Sequence, residues 1–232
     1  MTTDAPDRLL YLLQVANASF PTGAFNHSYG FETWIDSGAL DDAASFGSAC
    51  RDWLRYACVP TDGAAAGHAH RGAGVGDLDG LVDLDHIAGA LKLSREAREA
   101  SFKTGRALLG AYRDIFSADS LAPFAEAVRE GRCEGHQAVI FGAAAEAQGI
   151  GTEDAVLAFL HAALSNLVSV GARLIPLGQI ESQRIVREAW PLLTEGAGQA
   201  CAMEIDTLGS ATAGLDVASM RHERLHTRLC MS

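Results

Sequence analysis

The chain has 232 residues, 48% of them hydrophobic, with 18 lysines and arginines against 29 aspartates and glutamates, a formal net charge of −11. This much apolar content excludes a disordered chain. An acidic balance with no dense basic stripe speaks against nucleic acid and anionic membrane as partners.

The first unusual stretch is Phe20 to Gly30. Four ring side chains, Phe20, Phe25, His27 and Tyr29, crowd a turn built by Pro21 and Gly23. Two readings stand side by side. Aromatic residues at this density suit an interaction surface, and they equally suit a loop folded back onto its own core.

Asp41 is placed to cap a helix in which Phe46, Cys50, Trp53, Leu54 and Ala57 recur at three- and four-residue steps. Pro60 is expected to end it, because proline cannot continue the hydrogen-bond ladder. Asp62 to Gly76 is rich in glycine and alanine, and reads as a weak helix or a mobile loop. Ser94 opens the next helix, with Glu96 and Glu99 at the positive end of its dipole and a stripe of Phe102, Leu109, Tyr112 and Phe116. A shorter helix starts at Asp119 or Ser120, and Gly131 can stop it.

Glu134 to Gln148 is an alanine-rich helix. Thr152 then caps the most apolar one. Leu157, Leu160, Leu164, Leu167, Gly171 and Leu174 line one face, while Val156, Phe159 and Val168 cover much of the rest. A helix apolar nearly all round belongs at the centre of a bundle. His161, Ser165, Asn166, Ser169 and Arg173 argue against a membrane span. Pro176 ends or kinks this helix, and Gln179 to Trp190 resumes. From Asp206 to Ser232 the chain turns polar and reads as a tail with a helical turn or two.

No stretch alternates with period two, so no strand is expected. The pattern predicts an all-α fold, a single-domain bundle over 1–232 of about eight to ten helices, with 206–232 as a C-terminal tail. The five cysteines form no C-x-x-C pair, and Met1 to Asp7 has no cationic region, so reduced thiols and a cytoplasmic location are expected.

One string looks enzymatic. His222-Glu223-Arg224-Leu225-His226 matches H-E-x-x-H, in which two histidines on one helix face bind zinc and the glutamate acts as general base. A zinc-dependent hydrolase is therefore the alternative reading. Against it, no third histidine follows, and few apolar residues surround the string. His68 and His70 would point apart on a helix, and two neutral ligands make a weak metal site. No phosphate-binding glycine loop or nucleophile elbow occurs. No catalytic, cofactor-binding or metal-ligating residue is predicted.

Several separated stretches carry a resemblance. They are Leu12-Leu13-Gln14, Phe20-Pro21-Thr22-Gly23 and His27-Ser28-Tyr29-Gly30-Phe31-Glu32-Thr33. In the middle are the Ser94-Arg95-Glu96 helix through Gly105-Arg106-Ala107-Leu108-Leu109, and Ile175-Pro176-Leu177-Gly178-Gln179. At the end are Asp216 to Glu223 and Thr227-Arg228-Leu229. In this order they resemble the UreF family of urease accessory proteins. The resemblance implies an all-α protein that catalyses nothing itself and binds no cofactor. It implies an adaptor, commonly a homodimer, that joins the accessory protein UreD (UreH in some bacteria) to the GTPase UreG in a complex delivering nickel to apo-urease.

The resemblance also implies where partners bind. In the turn these are Phe20, Pro21, Gly23, Phe25, His27, Ser28, Tyr29, Gly30 and Glu32. In the tail they are Asp216, Ser219, Met220, Arg221, His222, Glu223, Arg228 and Leu229. Arg228 matches an arginine expected to order the turn when UreD docks. A further reading has an arginine such as Arg228 modulating the GTPase. Two positions depart from the family's pattern. Phe25 stands where tyrosine is common, and so does His226, which is what creates the H-E-x-x-H string.

Overall fold

A computed structural model describes residues 5–116 and 119–231, with only the backbone at Phe25 and Asp119. The fold is all-α, with twelve α-helices and no strand among the described residues. Its axis is the most apolar segment, helix Thr152–Leu174, in which Val156, Leu160, Leu164, Leu167 and Val170 are fully buried. This helix has the length and composition to cross a membrane, yet 56% of its most apolar window is buried inside the bundle. Its N-cap is Gly151 and not Thr152, whose hydroxyl instead lies 3.0 Å from Nδ1 of His70.

The chain begins with α1 (Ala5–Val15), a 3-10 turn (Ala24–Asn26) and the short α2 (Phe31–Asp36). Helix α3 (Ala43–Trp53) is capped by Asp42, one residue later than expected, in a reciprocal capping box with Ser45. Pro60 does not end it. The helix widens into a π-type segment (Leu54–Gly63) and continues as α4 (Ala64–Gly74). Within this segment the Tyr56 carbonyl also accepts from Ala211 N at 2.8 Å. The Pro60 carbonyl accepts from Gly209 N at 3.1 Å. The start of the tail thus docks on this segment through main-chain hydrogen bonds.

The glycine- and alanine-rich stretch is α4, an ordered helix. Ala64, Ala65, Ala66 and Ala69 are buried in it. A Cβ added at Gly142 would stand 2.1 Å from the Ala66 carbonyl oxygen, so here small residues allow backbones to touch. Helix α5 (Leu78–Ala90) leads to α6 (Arg95–Phe116), whose Ala97 N donates to Ser94 Oγ at 3.1 Å. After a 3-10 turn, α7 (Ala122–Arg129) ends before Gly131, at φ 75°. Then come α8 (Gln137–Ala147), the axial helix α9 (Thr152–Leu174), α10 (Gln179–Glu188) and α11 (Trp190–Ala202). The break at Ala189 splits the expected Gln179–Trp190 helix, and Pro191 fits the first turn of α11.

The tail is more ordered than its composition suggests. It forms α12 (Ala213–His222), which packs on α2 and α6. Leu215, Ala218, Ser219 and His222 are buried, and Met231 returns to pair beside His27.

Candidate partner-binding site

The aromatic turn and the tail, far apart in sequence, are one structure. Tyr29 is the sole non-glycine among the described residues with positive φ, at 51°, and Gly30 follows at 89°. A Cβ at Gly30 would lie 2.9 Å from both the Leu215 carbonyl and the Ser219 nitrogen. Glycine is thus required twice here, by conformation and by the approach of α12. Thr33 Oγ1 donates to the Ala218 carbonyl at 2.9 Å, and the Ser94 and Ser219 hydroxyls meet at 2.7 Å.

Within the turn most rings point inward. Phe20 is buried, and Tyr29 packs on Trp53 with centroids 4.9 Å apart. His27 Nε2 lies 3.0 Å from the Thr104 hydroxyl. Burial first, and the Lys92 charge second, push His27 down to about 4, so it is neutral at pH 7. Pro21 and Gly23 stay exposed, and the Phe25 side chain lies outside the described residues. Ser28 N donates to the Met231 carbonyl at 2.7 Å, and Met231 N donates to the Asn26 carbonyl at 2.8 Å. The Ser28 hydroxyl is buried without a hydrogen-bond partner among the described residues.

Glu32 and His222 fasten the two parts. Glu32, only 4% exposed, accepts from Leu229 N at 2.7 Å and Cys230 N at 3.1 Å. Its Oε2 is 2.8 Å from His222 Nε2. The other ring nitrogen of His222, Nδ1, is 2.6 Å from Glu96 Oε2, and Arg228 donates to Glu96 Oε1 at 2.8 Å. Arg95 pairs with Glu223 at 3.0 Å. Glu96, read from sequence only as a helix-dipole residue, is thus a tail anchor. No local spacing signals a partner 126 residues away.

Above these fasteners, Arg221 and Glu223 are exposed, and so are the large apolar residues Val217, Met220, Leu229 and Met231. Asp216 is half-buried, and desolvation raises its carboxyl above the ordinary value. A second apolar region lies between α1, α9 and α11. It is a groove of about 570 Å³ lined by Leu12, Leu13, Leu157, Trp190 and Leu193.

The H-E-x-x-H string does not form a zinc-binding face. Helix α12 stops at His222, Glu223 is its C-cap, and His226 lies beyond it, exposed. Both ring nitrogens of His222 already face carboxylates. His68 and His70 are pinned separately, to the Met203 carbonyl at 2.9 Å and the Ile150 carbonyl at 2.8 Å.

A model of the UreF family matches residues 40–189. The urease accessory protein UreF of Bacillus sp. (strain TB-90) is 35% identical over 226 residues, covering 97% of this chain and all of that protein. That of Geobacillus kaustophilus (strain HTA426) is 35% identical over 225 residues, covering 97% and 98%. That of Paenarthrobacter aurescens (strain TC1) is 35% identical over 223 residues, covering 96% and 97%. The family model stops short of both turn and tail, whereas these alignments extend over nearly the whole chain.

Proposed function

The chain belongs to the UreF family of urease accessory proteins, and we propose that it works as a non-catalytic adaptor in the cytoplasm. It joins a UreD/UreH-type protein to the GTPase UreG in a complex that inserts nickel into apo-urease. Nickel is the cargo of that complex and not a resident cofactor of this chain. The observation that carries the reading is the fastening of turn and tail into one unit, with Val217, Met220, Leu229 and Met231 left exposed. Large apolar side chains on an otherwise charged segment are the kind of group that anchors an interface. In this division of labour Glu32, His222, Ser219 and Gly30 hold the surface from beneath, and Met220, Arg221, Glu223 and Leu229 meet the partner.

The test is co-purification with a UreD-type protein. Truncation at Asp216 would uncover the buried Glu32 carboxylate, so surface variants are cleaner. Val217→Asp with Met220→Asp is expected to abolish co-purification while helical circular dichroism stays unchanged. Retained co-purification overturns the tail's role.

A homodimer needs an apolar face of its own, and the groove between α1, α9 and α11 supplies one. Leu13 and Trp190 stand at least half exposed there. Modulation of the GTPase is a second reading, favoured by the partly exposed Arg228 guanidinium on Glu96. It predicts that Arg228→Ala changes GTP turnover by UreG within the complex, and unchanged turnover leaves Arg228 a fastener only.

A further inference from the structure

We propose that the exposed face of α12 is a docking surface in two parts, apolar at Val217 and Met220 and cationic at Arg221 and Arg224, and that it fits a carboxylate-lined patch on the partner. The inference rests on the adaptor reading for the partner itself, a UreD-type protein, and adds the chemistry that this partner must present.

Helix α12 carries two rows of side chains at the same spacing. Leu215, Ala218, Ser219 and His222 stand at i, i+3, i+4 and i+7, and they are buried where α12 packs on α2 and α6. Val217, Met220, Arg221 and Arg224 repeat that spacing two residues further on, and all four are exposed. Two residues turn a helix by about 200°, so this second row faces away from the bundle. Although α12 ends at His222, Arg224 N donates to the Arg221 carbonyl at 2.9 Å and Leu225 N to the His222 carbonyl at 3.1 Å. One more turn thus follows the helical path and keeps Arg224 in the outer row.

The acids near this row are engaged or turned aside. Glu223 pairs with Arg95 at 3.0 Å, and Glu96 with Arg228 at 2.8 Å. Asp216 is half-buried and lines the cleft against the π-type segment with Thr61. Among the described residues, neither Arg221 nor Arg224 has a carboxylate within ion-pair distance. They stand so in a chain whose acids outnumber lysine and arginine 29 to 18. The helix dipole favours cations at this end, but it does not explain the large apolar side chains next to them.

Methionine and arginine are side chains that protein interfaces concentrate. A guanidinium presents a planar fork that matches a carboxylate. A net charge of −11 repels nucleic acid and anionic lipid at long range. A second copy of this chain, meeting the same face across a two-fold axis, would set arginine against arginine. A partner protein with carboxylates around an apolar centre meets neither objection.

The test times association of the full chain with a UreD-type protein from about 50 mM to about 500 mM salt, a range that shortens the reach of charge severalfold. Wild-type association should slow steeply with salt. Arg221→Glu with Arg224→Glu should slow low-salt association by about tenfold or more, with helical circular dichroism unchanged. Arg221→Ala with Arg224→Ala should lose most of the salt dependence. Val217→Ala with Met220→Ala should instead speed dissociation and keep that dependence. A wild-type rate indifferent to salt overturns the proposal even if a variant fails to fold, and so does a salt dependence that survives in the arginine-to-alanine pair. Binding of wild type to phosphatidylserine vesicles or duplex DNA, lost on charge reversal, overturns the choice of a protein partner, and self-association lost in the same way does too. If the UreD-type protein binds wild type and both arginine pairs equally, this proposal fails and the adaptor reading stands. If it does not bind wild type at any salt, the adaptor reading fails and takes this proposal with it.

Discussion

Gly30 carries two constraints at once, a φ of 89° and backbone atoms of α12 within 2.9 Å of where a Cβ would be. Gly30→Ala is expected to cost on the order of 1–3 kcal/mol and to loosen α12 before the rest of the bundle. Urea denaturation followed alongside amide exchange in 213–222 would show it, and exchange unchanged from wild type would contradict it. His27 is held neutral, from an ordinary 6.5 down to about 4. Between those values the unfolded chain binds more protons than the folded one, so stability is lost as pH falls through that window. His27→Gln should remove that part of the acid-side slope, by up to about 3 kcal/mol. A slope identical to wild type would place the acid sensitivity elsewhere.

Among the elements, those legible in the sequence were the ones with a continuous apolar stripe. Helices α3, α6 and α9 follow their stripes closely. Helix α4 was ambiguous because glycine and alanine are what both a flexible loop and a tight helix contact require. Only the partner, α8 with Gly142 against Ala66, decides between them. Gly142→Val should therefore destabilise the whole bundle, by at least about 2 kcal/mol on thermal denaturation. A loss under about 0.5 kcal/mol would mean the helices are not in backbone contact. Helix α12 was underread for a related reason. Its buried set includes Ser219 and His222, whose partners Ser94, Glu96 and Glu32 lie more than a hundred residues away. Pro60 misled because the helix widens around it into a π-type segment, on which residues 209–211 form main-chain bonds that no local rule anticipates.

At the scale of the molecule, the described chain is a bundle around α9 with the turn and tail fastened to it. The candidate site was legible as two landmarks and a family likeness, but their union into one surface was not. That union depends on a buried carboxylate, Glu32, collecting three donors from the tail. The most direct test of the central claim, that this chain joins two proteins, is a three-component capture. A tagged UreD-type protein is mixed with UreG, with and without the chain, and retained UreG is quantified. The adaptor account predicts that UreG is retained only when the chain is present. Equal retention without it, or no retention with it, would contradict the account.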